Sequence, residues 1–84
     1  MDGKSQVTVN QMQAGQSGRV VEIMGGQGLV NRLNSLGIRR GKRITKVSAM
    51  FMRGPVTLQV DRAHVAIGFG MAGKIIVEVE GEEP

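Results

Sequence analysis

Val56-Thr57-Leu58-Gln59-Val60-Asp61-Arg62-Ala63-His64-Val65-Ala66-Ile67-Gly68-Phe69 is the stretch whose reading decides the fold. Val56, Leu58 and Val60 alternate with polar residues, and Val65, Ile67 and Phe69 alternate again beyond the Asp61-Arg62 pair. A period of two places apolar side chains on one face of a half-buried strand, and a two-residue polar break between two such runs suits a tight hairpin. Further along, Ile75, Val77 and Val79 repeat the pattern. Between the second and third runs, Gly70 to Lys74 is long enough for one helical turn, with Met71 and Ala72 as its apolar members. Upstream, Gly18 to Ile23 reads as a first strand and Lys42 to Ala49 as a second whose broken alternation indicates a bulge.

Between those two upstream strands the period changes. Leu29, Leu33 and Leu36 fall at i, i+4 and i+7, while Asn31, Arg32, Asn34 and Ser35 take the other face, so a short amphipathic helix is predicted from Leu29 to Leu36. Gly37 fits the left-handed residue that ends a helix, and Ile38 stands where a Schellman motif returns an apolar contact towards Leu33. Five short strands and one helix in 84 residues are too few for a sandwich. They fit one mainly β domain over residues 1–80, a small, partly closed antiparallel barrel with the helix over one end, followed by an acidic tail at 81–84 that frays.

The chain has no cysteine, which removes disulfides, thiolate metal sites and a thiol nucleophile together. No apolar run is long enough to span a bilayer, and the N-terminal Met1-Asp2-Gly3-Lys4-Ser5 opens into alternating Gln6-Val7-Thr8-Val9 rather than a signal sequence. The expectation is a cytoplasmic protein. The net charge of +4 is unevenly spread: eight basic residues lie between Arg19 and Arg53 against Glu22 alone, and Glu78, Glu80, Glu82 and Glu83 close the chain. The molecule is therefore expected to be electrically two-sided.

Catalytic apparatus is hard to assemble from these residues. His64 is the only histidine, and with Asp61 it makes one ligand pair rather than a site. Glu78 and Glu80 share a strand face and are expected to meet water. No serine sits in a nucleophile elbow. Gly3-Lys4-Ser5 lacks the upstream glycine of a P-loop, and Gly26-Gln27-Gly28 is followed by Asn31 where a dinucleotide fingerprint needs a third glycine. The reading is of a binding module, not an enzyme, with no tightly bound cofactor.

The densest functional feature is Arg39-Arg40-Gly41-Lys42-Arg43 with Lys46 beyond it, five basic residues in eight positions. It reads as a solvated face, as a surface that steers a partner, or as a nucleic-acid contact. The last is disfavoured because Phe51 and Phe69 are the only aromatics, and single-strand-binding barrels stack bases on aromatic rings. Met50-Phe51-Met52, before Arg53-Gly54-Pro55, reads either as a loop folded onto the core or as a methionine-rich contact surface. Arg39, Arg40, Lys42, Arg43, Lys46, Met50, Phe51 and Met52 are thus the candidate partner-binding residues.

The order of several segments resembles the FeoA family: Gly18-Arg19-Val20-Val21, Gly25-Gly26, Arg32-Leu33-Asn34-Ser35-Leu36-Gly37-Ile38, Gly41, Gly54-Pro55 and Ala72-Gly73-Lys74-Ile75-Ile76-Val77. The likeness runs from about Thr8 to Val79, and departs where Arg40 stands in a place that the family often gives to proline. The resemblance implies an SH3-like barrel of five strands with a helix inserted after the first, related to the C-terminal domains of iron-dependent repressors. It also implies a cytosolic accessory or regulatory role in bacterial ferrous iron transport, through contact with a FeoB-type membrane permease that has a cytosolic G domain, and leaves room for docking close to the membrane. Two alternatives stay open: a basic nucleic-acid-binding barrel, and a module that binds ferrous or another transition metal weakly through oxygen ligands.

Overall fold

The computed structural model of the chain describes residues 4–48 and 54–80. Its strands are β1 (Lys4–Thr8), β2 (Ser17–Ile23), β3 (Arg43–Ser48), β4 (Val56–Val60), β5 (Ala63–Ile67) and β6 (Ile75–Glu80). Its helices are α1 (Gln27–Ser35) and the single turn α2 (Phe69–Ala72), and a 3-10 turn, Val9–Gln11, follows β1. All strand pairs are antiparallel, in the order β1-β6-β2-β3-β4-β5.

The mainly β, SH3-like architecture with one inserted helix is as expected, but the sheet has six strands rather than five. The additional strand is β1, whose only apolar member, Val7, is half-buried, so its alternation is a weak signal. β1 pairs with β6 from Lys4↔Glu80 to Thr8↔Ile76. A second difference lies at β5, which begins at Ala63 and ends at Ile67. Phe69 therefore opens α2 instead of closing the strand.

The hairpin register runs from Val60↔Ala63 to Val56↔Ile67, leaving Asp61 and Arg62 as the loop, with Asp61 at φ 58. The bulge expected in β3 is present: Lys46 pairs with Leu58 and Ser48 with Thr57, so Val47 is the extra residue. A second irregularity in β2 leaves Val21 unpaired between Val20↔Val77 and Glu22↔Ile76.

Val20, Ile44, Val56, Leu58, Val60, Ile67, Ile75, Val77 and Val79 point from five strands into one core, which Val9, Met12, Leu33, Ile38 and Ala72 complete. A sheet whose strands all feed one cluster must curl around it. The ends of that curl are linked by a side chain, because Asn10 after β1 donates its Nδ2 to the Phe69 carbonyl after β5 at 3.0 Å. Gly18 lets β2 lie close on β6, since a Cβ there would stand 2.8 Å from Val79 Cγ1 and 2.9 Å from the Glu78 carbonyl oxygen.

Alternation along β3 sends Ile44 inward and, two residues on, Lys46 as well. Lys46 is 3% exposed. Its ammonium donates to the carbonyls of Val9 (3.1 Å), Asn10 (3.3 Å) and Met12 (2.8 Å), at the C-terminal end of the 3-10 turn. Three donors meet three acceptors, which is how a lysine is tolerated inside a small core. Burial pushes its pKa below the ordinary lysine value, while the carbonyls, which favour the charged form, work against that push.

Two outcomes test this packing. Leu33 is fully buried, so Leu33→Ala should cost about 2–5 kcal/mol in urea unfolding. Lys46→Met takes the Lys46 donor from the Asn10 and Met12 carbonyls, while Val9 O keeps the Met12 N–H, and should cost about 2–4 kcal/mol. Because the folded state lowers the Lys46 pKa below that of the unfolded chain, the unfolded chain holds more protons between the two values. Stability of the parent chain should therefore rise with pH through that alkaline window, widening its margin over Lys46→Met.

Candidate docking surface

The basic segment owes its position to two backbone devices in sequence. At the end of α1, Gly37 at φ 89 donates its N–H to Asn34 O at 2.9 Å, and Ile38 donates to Leu33 O at 2.9 Å. This is the Schellman pattern, and it delivers Ile38 into the core with no exposed surface. The chain then turns again: Lys42 N–H donates to Arg39 O at 3.0 Å, with Gly41 at φ 89 in the third position, as a type II turn requires. Gly41 N–H donates to Val20 O at 2.7 Å and Val20 N–H to Lys42 O at 2.9 Å, which ties the turn to β2. Arg39 and Arg40, held between a buried Ile38 and a pinned Gly41, both project into solvent.

They project beside a groove of about 470 Å³ lined by Glu22, Ile23, Val30, Asn34, Arg39 and Arg40. Ile23 and Val30 are half-buried, and the polar members stand exposed around them. Such a groove can take an apolar side chain while its guanidinium groups engage carboxylates, with Glu22 setting a local counter-charge.

The other candidate residues are dispersed. Lys42 turns towards the β4–β5 hairpin and pairs with Asp61, Nζ to Oδ2 at 2.7 Å. Asp61 is 70% exposed, so this pair adds little stability, and it locally neutralises the Lys42 charge. Arg43 lines a separate hollow with Thr45, Gln59 and Asp61. Lys46 is inside the core, so its ammonium cannot steer a partner; the same alternation that makes β3 a strand, with Ile44 two residues before it, carries the signal that it points inward. Met50, Phe51 and Met52 lie outside the described residues, as does the acidic tail at 81–84.

Ile23, Val30 and Asn34 were not among the candidates from sequence. Val30 and Asn34 are four residues apart on α1 and so share a face, but the helix pattern of Leu29, Leu33 and Leu36 sets Asn34 on the solvent side and gives Val30 no place. Among the described residues, no three histidine, aspartate or glutamate side chains gather as a metal site, and no helix is long and apolar enough to cross a membrane.

The profile of the FeoA domain matches residues 7–79. This chain belongs to the FeoA domain family. An iron uptake regulatory protein (FeoA) of known crystal structure is 33% identical, with a TM-score of 0.84, over 89% of this chain and 99% of its own. The FeoA-like protein of Clostridium acetobutylicum shares the fold at 22% identity and a TM-score of 0.81, over 94% of this chain and 92% of that one. A manganese-dependent transcriptional repressor matches at 22% identity and a TM-score of 0.80, over 89% of this chain but only 41% of its own, so the FeoA fold also occurs as part of a longer chain. A search of curated proteins gives no match. Membership of the FeoA family supports a role in ferrous iron transport.

The turn geometry bears on one departure noted in the sequence. Arg40 occupies the second position of a type II turn, where the fixed φ of proline is favourable, and among the described residues its N–H closes no backbone hydrogen bond. Arg40→Pro should therefore stabilise the fold by about 0.4–1 kcal/mol, seen as a Tm increase of about 2–8 °C by calorimetry, while removing one of the two guanidinium groups from the groove.

Proposed function

We propose that this FeoA-family chain is a cytosolic accessory protein of ferrous iron transport that docks onto the cytosolic part of a FeoB-type permease through the Arg39–Arg40 groove. The observation that carries the reading is the pairing of two exposed arginines, on a turn held by backbone hydrogen bonds, with a half-buried apolar floor, Ile23 and Val30. Division of labour follows from the physics. Arginines on the rim speed and orient the encounter with an acidic partner, and burial of an apolar side chain against Ile23 and Val30 sets how long the complex lasts. Arg43, exposed on the neighbouring strand, extends the positive potential. The Met50-Phe51-Met52 segment, followed by Arg53, supplies further apolar contact in this reading.

The test is a paired substitution, Arg39→Glu with Arg40→Glu, read by association kinetics with the cytosolic G domain of the permease and by ferrous uptake in complemented cells. Both side chains are exposed, so the Tm should hold. The association rate should fall at least about tenfold at low salt, the difference shrinking as salt rises. Val30→Asp should instead speed dissociation. Unchanged binding and uptake in both variants would refute the surface, and tight, steeply salt-dependent binding of duplex DNA by the parent chain would favour the basic nucleic-acid-binding barrel.

A further inference from the structure

β5 is the last strand of the sheet, and among the described residues it pairs with β4 alone. In a two-residue hairpin the residues next to the loop form a hydrogen-bonded pair, so Ala63, Val65 and Ile67 exchange bonds with Val60, Leu58 and Val56. The backbone N–H and C=O groups of His64 and Ala66 consequently point the other way, along the outer edge.

Edges of this kind are ordinarily guarded by lysine, proline, a bulge or an inward-pointing charge. β5 has none of these. Its register with β4 is unbroken over five pairs, its sequence is Ala63-His64-Val65-Ala66-Ile67, and the residues flanking the outward groups are small or neutral. The opposite edge of the sheet, β1, begins with Lys4 and is mostly polar.

We propose that β5 is a pairing edge for a second copy of this chain, the two β5 strands meeting antiparallel with Val65 opposite its own counterpart. The choice of a second copy rests on self-complementarity. With Val65 on the two-fold axis, His64 of each copy faces Ala66 of the other, and these two pairs supply four backbone hydrogen bonds from groups already aimed outward. The same register sets Ala63 against Ile67 on the inner face, small against large, and Arg62 against Gly68, so no like charges oppose each other. Neighbouring registers set His64 against itself or Ala66 against itself and keep fewer bonds over the strand. Continuity of parity means that the inner face of one sheet continues as the inner face of the other, as pairing through the whole strand requires. This inference is independent of the permease reading, because β5 contributes no residue to the Arg39–Arg40 groove.

A five-residue strand pair buries less than a standard interface, so association should be weak and visible as a concentration-dependent rise in sedimentation coefficient between about 10 μM and 1 mM. Over the same range, amide exchange at His64 and Ala66 should slow while exchange at other exposed amides stays constant. Ala66→Pro deletes one outward N–H without touching the β4 ladder, and Ala66→Lys places a charge on the edge. Both variants should remain monomeric at every concentration, and the lysine variant, which makes no demand on the backbone, should keep the parent Tm. A parent chain that stays monomeric to 1 mM overturns the proposal, as does a dimer that survives both substitutions. Slowed exchange at His64 and Ala66 only on addition of the permease domain would also overturn it, by assigning the edge to a different partner.

Discussion

The hydrogen bond from the Ile38 N–H to the Leu33 carbonyl is the constraint on which the arrangement depends. It ends α1, turns the chain through Gly37 and seats Ile38 in the core beside Leu33, so that the start of β3 is delivered alongside β2. Everything distal inherits its position from that seat. The Arg39–Lys42 turn can bond to Val20 only because Ile38 has been placed, and the two arginines face outward because both their neighbours are held. A turn already held by hydrogen bonds has less backbone freedom left to lose on any contact made through these two side chains.

Lys46 shows how a small barrel is completed when apolar residues run short. Its aliphatic stem fills core volume, and its ammonium gathers the carbonyls at the end of the turn that follows β1. The backbone of β3 is tied to the same region, since Gly15 N–H donates to Lys46 O at 2.6 Å and Lys46 N–H to Gln16 O at 2.9 Å. One residue thus fastens the Val9–Ser17 connection to β3 from both its main chain and its side chain. Replacing the side chain by an apolar one would remove one of those two ties and leave the Asn10 and Met12 carbonyls without their Lys46 donor.

Much of this was legible in the residues. The hairpin, the helix and its glycine stop were readable because each obeys a local rule with a strong periodicity, and even the bulge in β3 left a mark as broken alternation. β1 was missed although Gln6-Val7-Thr8-Val9 alternates, because only Val7 of that pattern lies in the strand and one apolar residue is a weak signal. The candidate surface was half legible. Arg39 and Arg40 were found by charge density, but charge density counted Lys46 too, because a linear reading weighs composition and ignores which way a strand points. Ile23 and Val30 went unseen because an apolar residue beside a core looks like core until the neighbouring elements leave it partly open.

The pairing of β1 with β6 sets Lys4 across from Glu80, so the polypeptide enters and leaves the domain at one pole. The groove lies at the other, where β2 reaches Ile23 and β6 starts at Ile75, several strand residues away from the Gly18↔Val79 pair. Adjacent entry and exit points make a fold easy to append to, or insert into, another polypeptide, and the distance between poles means that such a fusion leaves the groove unobstructed. The same fold matches 41% of a longer repressor chain. A domain so built can be joined to another polypeptide at one end and keep the other end clear.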